Sequence, residues 1–198
     1  MVVDRSKLTA NLIKFYDFEG KSIVYVGAGG RQLLGPATGM RKVVAIDSNP
    51  ESLEGLRKDA KTKWAGVPLR IVPRRFETVN LKGDVVYFEF CLHEMSDPLL
   101  ALKHARRLAA DIVVIDHLPG SKWIFYGAEE SNVLRSTGAA ESFGIRRRRK
   151  LWATQRFRDY GELATRMAGQ GALSERRVLA FKGARDIRIR MDYGIYLL

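Results

Sequence analysis

A single cysteine, Cys91, excludes an internal disulfide. Histidine is nearly as scarce. The three present, His93, His104 and His117, lack the compact spacing of a metal centre. The apolar runs are strand-sized, and none approaches the length of a membrane span. Asp4, Lys7, Lys14 and Asp17 interrupt the amino-terminal stretch, so it does not read as a secretory signal. No internal repeat or low-complexity segment is present. These absences lead to the expectation of a soluble, cytoplasmic protein. With 198 residues and 46% hydrophobic content, the chain suits one α/β domain spanning residues 1–198 with a sizeable core.

Carboxylates are the minority charge, with 22 Asp and Glu against 34 Lys and Arg, a formal net of +12. The imbalance is local: residues 135–190 hold 15 Lys or Arg against 5 Asp or Glu. Such a field attracts phosphates, carboxylates or anionic surfaces, so an anionic partner is expected. The same charge makes RNA the alternative partner, although no nucleic-acid-binding module is recognisable. The oligomeric state is not legible.

The most telling stretch is the apolar run Ile23, Val24, Tyr25 and Val26, which stops at Gly27, Ala28, Gly29 and Gly30. A second run, Val43, Val44, Ala45 and Ile46, stops at Asp47. Side chains would obstruct a ligand lying across the glycine turn, and an acid at the next strand end can grip a ribose diol. Asp47 lies 18 residues after Gly29, close to the roughly twenty expected for that acid. The pair reads as a nucleoside-cofactor site at the carboxyl edge of a parallel sheet. The full G-x-G-x-x-G fingerprint is not met, because Gln32 stands at its last position. The glycines alone are also compatible with a strand-to-helix turn that holds nothing.

Strands and helices are expected to alternate through the first 116 residues. Helices are predicted over 5–18, from about Arg31 to before Gly39, from Pro50 to about Lys63, and from Pro98 to Leu108. Strands are predicted over 22–27, 42–47, 69–72, 84–90 and 111–116. This order predicts a doubly wound, mostly parallel sheet. Residues 117–150 break the regularity with aromatics, glycines and five consecutive cations at 146–150. A helix is expected over 152–168, followed by a closing hairpin of strands 176–181 and 187–197, the second strongly alternating.

With the strand at 84–90 and the loop Leu92, His93, Glu94, Met95, Ser96, Asp97 and Pro98, the chain resembles the class I S-adenosylmethionine-dependent methyltransferases. The resemblance covers residues 5–120 in detail. It implies a Rossmann-like seven-stranded sheet ending in an antiparallel hairpin, with S-adenosylmethionine as cofactor. It also places the cofactor against Tyr25, Gly27, Ala28, Gly29, Asp47, Ser48, Phe76, Glu77, Phe90, Cys91 and Leu92. The loop at 92–98 is similar to that of small-molecule members, which implies a small acceptor. Two positions depart from the family. Tyr25 stands where an acid is usual two residues before the first glycine. Arg75 stands where an acid often meets the adenine, with Glu77 nearby.

Methyl transfer requires positioning and the exclusion of water, and it needs a base only if the acceptor must lose a proton. His93, Asp116 and His117 lie at strand ends facing the crevice. An ordinary His93, with a pKa near 6.5, suits a base at neutral pH, although capping the loop is an equal role. Asp116 and His117 can orient an acceptor hydroxyl or simply bond a turn. Trp123 and Tyr126, just past the fifth strand, can wall an acceptor pocket or pack in the core. Arg146 and Arg149 can clamp an anion. Five cations at the start of a helix would oppose its dipole, which favours a binding role for that run. The function expected is methyl transfer to a small anionic or aromatic acceptor. The alternatives are an RNA acceptor, a fold that keeps the cofactor without turnover, or a nicotinamide oxidoreductase, which the glycine and acid pattern alone does not separate from a methyltransferase.

Overall fold

The computed structural model describes residues 2–3, 5–30, 39–63 and 66–198. The helix expected from Arg31 to Gly39 lies outside the described residues. In chain order the elements are β1 (Val2–Val3), α1 (Arg5–Phe15), β2 (Ser22–Val26), β3 (Lys42–Asp47), α2 (Pro50–Lys63), β4 (Leu69–Pro73), β5 (Val85–Glu89) and α3 (Pro98–Leu108). They continue with β6 (Asp111–His117), α4 (Lys122–Gly127), α5 (Glu130–Phe143), β7 (Arg147–Asp159), α6 (Tyr160–Met167), α7 (Ala172–Val178) and β8 (Arg185–Leu197).

These strands form one mixed sheet in the order β1-β7-β8-β6-β5-β2-β3-β4. The five from β4 to β6 run parallel. β8 is antiparallel to β6, and β7 is antiparallel to β8. The two-residue β1 extends the edge beyond β7, so seven full strands carry the expected α/β architecture. All five residues of β5 are buried, as a central strand covered on both faces requires.

Residue parity decides which face each side chain meets, because strand side chains alternate. Odd positions such as Tyr25, Ala45, Tyr87 and Ile115 pack with Leu8 and Leu12 of α1 and Leu53 and Leu56 of α2. Even positions such as Val24, Ile46, Phe88 and Val114 pack with Ala101, Leu102 and Ala105 of α3. α3 starts where Pro98 and the preceding residue dictate: the Asp97 side chain accepts from the Leu100 amide at 2.9 Å and caps the helix.

The carboxy-terminal third departs from expectation. Residues 152–159 are strand, not helix, and only 160–167 are helical. Along β7, Ala153, Gln155 and Phe157 are buried while Trp152, Arg156 and Arg158 are exposed, a period of two. Residues 176–181, expected as a strand, belong to α7 and a following 3-10 turn. The closing antiparallel pair is therefore β7 with β8, joined through α6 and α7 rather than by a short hairpin loop. The cation run 146–150 leads into β7, so no helix dipole opposes it. Residues 117–150 are more regular than expected and hold α4 and α5.

Candidate active site

The strand order reverses between β2 and β5, because the chain lays β3 and β4 on one side of β2 and β5 and β6 on the other. A ligand crevice is expected outside the carboxyl ends at such a point. Gly27 ends β2 there with φ +71, a conformation that costs glycine little. A Cβ at Gly27 would stand 2.7 Å from both Cys91 Sγ and the Glu89 carbonyl oxygen. The two strand ends thus approach as closely as a glycine permits.

Asp47 closes the other side. The Gly29 amide donates to its Oδ2 at 3.0 Å, and the Asn49 amide donates to its Oδ1 at 2.9 Å. A cleft of about 390 Å³ opens beside this carboxylate, lined by Gly27, Asp47, Ser48, Phe76, Glu77 and Cys91 and reaching Glu94 and Met95. Phe76 is held edge-on by Phe88 and by His104, at ring distances of 5.2 and 5.0 Å. Arg75 Nε lies 3.6 Å from Glu77 Oε2 at the same rim.

The remaining predicted cofactor residues sit behind that lining. Tyr25 and Ala28 are fully buried, and Leu92 packs in the cluster under α3. Gly29 acts through its amide. Phe90 adopts φ +45 and rests against the His117 ring at 4.8 Å. The Cys91 thiol is pushed well up by burial and is an inert wall atom.

Beneath the glycine turn lies a carboxylate that sequence reasoning missed. Glu89 is 2% exposed and accepts from the hydroxyls of Tyr25 and Tyr87, the latter at 3.2 Å. Tyr25 and Tyr87 are register partners on β2 and β5, and Glu89 follows Tyr87 by two. Only the pairing reveals the trio.

A second polar cluster joins β5 to β6. Asp116 Oδ2 accepts the His93 amide at 2.9 Å, and Asp116 Oδ1 lies 2.6 Å from His93 Nδ1. Oδ1 also accepts the His117 amide at 2.8 Å. His93 Nε2 faces two more carboxylates, Glu129 at 3.8 Å and Glu94 at 4.0 Å. Burial pushes the His93 imidazole down, but Asp116, then Glu129 and Glu94, outweigh it and raise its pKa to about 9. His93 is therefore an imidazolium at neutral pH and not the free base expected. Burial raises both Glu94 and Glu129, with His93 opposing the shift. His117 goes the opposite way: burial lowers it to about 3, and its Nδ1 has no hydrogen-bond partner among the described residues. Asp116 and His117 both meet His93, whose ring centroid lies 5.1 Å from that of His117. Glu129 just precedes α5 and carried no signal in the sequence.

The predicted acceptor residues divide differently from expectation. Trp123 is buried in α4 and stacks on Phe157 of β7 at 6.0 Å, a packing role. Tyr126 rests edge-on against Phe181 at 5.0 Å, and its carbonyl accepts from Ser174. Arg146 donates to Asp111, the first residue of β6, at 2.6 Å. That is the amino end of the parallel strands, the edge opposite the cleft. Arg149 pairs with Ile195 within the β7–β8 ladder, on the face of Arg147, whose guanidinium bonds the Phe15 carbonyl of α1. Neither arginine reaches the crevice. Among the described residues no group of three His, Cys, Asp or Glu could hold a metal ion, and no helix is long and apolar enough to cross a membrane.

Residues 24–111 match the family described as a methyltransferase domain. Among solved structures, the BH2331 protein of Bacillus halodurans C-125 aligns with a TM-score of 0.72 at 14% identity, over 96% of each chain. YcgJ of Bacillus subtilis aligns at 0.67 and 14% identity, over 97% of this chain and 96% of its own. A SAM-dependent methyltransferase from Aquifex aeolicus aligns at 0.58 and 18% identity, over 98% of this chain and 89% of its own. At these identities the likeness establishes the fold. No curated protein matches the chain significantly in sequence.

Proposed function

We propose that this chain, which carries a class I S-adenosylmethionine-dependent methyltransferase domain, methylates a small nucleophile in the crevice between the glycine turn and His93. One observation carries the reading. The Gly29–Asp47 hydrogen bond sets a ribose-gripping acid against the glycine turn, in a cleft that ends at the loop bearing His93. The residues present fit the cofactor. Each Asp47 oxygen accepts one backbone amide and keeps lone pairs for a ribose diol. Ile46 and Phe76 offer apolar surface to an adenine, with Glu77 beside them as an acceptor for its amino group. Tyr25 replaces the usual family acid, while the buried Glu89 on the neighbouring strand keeps a carboxylate against its hydroxyl.

When bound, S-adenosylmethionine supplies a methyl group on a sulfonium, so an in-line attack needs little beyond alignment and dryness. Asp116 locks the His93 loop to the end of β6 and so fixes the far wall of the crevice. The His93 imidazolium positions Glu94 and Glu129 rather than removing a proton. Glu129, pushed up by burial, is the group suited to take a proton from an acceptor. The crevice holds three carboxylates around one imidazolium. That charge supports a neutral or cationic acceptor in place of the anionic one expected from overall composition. The segment 117–150 serves as the acceptor wall through α4 and α5. Burial of His93 and Asp116, at 2% and 3% exposure, supports a small reacting group.

Calorimetric titration with S-adenosylhomocysteine tests the reading. We expect binding to the wild type and a loss of about a hundred-fold or more in Asp47→Ala, as two hydrogen bonds to a charged acceptor disappear. No binding to either protein would overturn it.

A further inference from the structure

The even-numbered face of the β7–β8 pair is an unusually cationic sheet surface. Arg148, Lys150, Arg156 and Arg158 of β7 share it with Arg188 and Arg190 of β8, and all six are exposed. α5 covers this face only at the end near Tyr196. Arg156 stands directly opposite Arg188 across the ladder. Like charges so placed destabilise a sheet, so its own stability does not explain the pattern. Acids temper the face without neutralising it: Asp186 pairs with Arg188 and Asp192 with Arg190, each at 2.7 Å, Glu162 meets Arg158 at 3.5 Å, and Glu141 meets Arg148 at 3.7 Å. Lys150 has no such partner among the described residues.

In the midst of these cations stands an exposed aromatic. Trp152 is 49% exposed, with Arg190 5.5 Å from its ring centroid and Lys7 Nζ 4.0 Å over the ring. Between the face and α5 runs an open groove of about 630 Å³, walled by Leu134, Arg148, Lys150, Trp152, Arg190 and Tyr196. Leu134 is 59% exposed on its far side. The groove begins at Leu118, one residue after His117.

We propose that this face binds single-stranded RNA, with a base inserted against Trp152 and the backbone tracking the cations along β7 and β8. Same-face residues on a strand repeat at roughly 6.6–6.8 Å, comparable with the step between phosphates of an extended strand. An aromatic platform inside a cationic groove is how unpaired bases are held without sequence readout. The groove and its aromatic favour RNA over an anionic membrane, which would need no recess. The proposal stands whichever nucleophile receives the methyl group.

Fluorescence anisotropy of a labelled oligouridylate, followed across a salt series, tests it. Binding at low salt is expected to weaken steeply with salt. Lys150→Ala with Arg156→Ala should lower the logarithmic salt slope by about 1.4. Trp152→Ala should weaken binding about ten-fold with the slope unchanged, and Trp152→Phe should recover part of the loss. S-adenosylhomocysteine titration of each variant verifies an intact fold, so failure here leaves the cofactor reading untouched. The proposal is overturned by no binding at low salt, or by equal weakening in Lys150→Ala and in Arg149→Ala on the opposite face with Trp152→Ala unaffected. Binding to phosphatidylserine vesicles without binding to the oligouridylate would overturn it as well.

Discussion

Asp116 Oδ1 lies 2.6 Å from His93 Nδ1, so the loop after β5 is tied to the carboxyl end of β6 by a buried ion pair. The contact decides the charge of the crevice. It converts a histidine that would be half neutral near pH 6.5 into a standing cation.

That conversion makes stability pH-dependent. The folded pKa of about 9 lies above the ordinary 6.5, so the stabilisation is complete below about pH 6.5 and is lost as pH rises toward 9. The amount at stake is on the order of 3 kcal/mol. Urea unfolding at a series of pH values should show this decline in the wild type. Asp116→Asn should flatten it and cost about 3 kcal/mol at neutral pH.

Gly27→Ala should both destabilise and block the cofactor. The new Cβ meets Cys91 Sγ and the Glu89 carbonyl at 2.7 Å, on a backbone with positive φ. We expect a loss of about 2 kcal/mol or more in chemical denaturation and no calorimetric signal with S-adenosylhomocysteine.

Tyr25→Phe removes one donor from the buried Glu89 carboxylate. The cost should be about 1–3 kcal/mol in unfolding free energy. A variant as stable as the wild type would show that the Tyr25 hydroxyl does not support Glu89.

Trp123→Ala discriminates packing from substrate contact. If the indole is a core element stacked on Phe157, stability falls by about 3–5 kcal/mol while affinity for S-adenosylhomocysteine holds. Unchanged stability with altered turnover would return Trp123 to the acceptor pocket.

The parallel half was legible because its strands are buried on both faces and read as continuous apolar runs ended by glycine or acid. Gly27, Gly29 and Asp47 could be placed for the same reason: spacing alone brings adjacent strand ends together. The carboxy-terminal third was misread because the helix expected over 152–168 merges the end of β7 with α6. In fact Trp152 and Phe157 lie on opposite faces of β7, and that alternation is visible only once β8 pairs alongside it. Arg146 and Arg149 were grouped by adjacency, whereas strand geometry and the sheet edge separate them from the site.

Local order in this chain, a glycine turn and an acid eighteen residues on, was enough to indicate a nucleoside cofactor, because those groups act through backbone shape and a short, fixed spacing. The protonation of His93, the union of Tyr25 with Glu89, and the approach of Glu129 depend on residues 23 to 64 positions apart. Charge and burial are properties of neighbours in space, and no local pattern encodes which neighbours those will be.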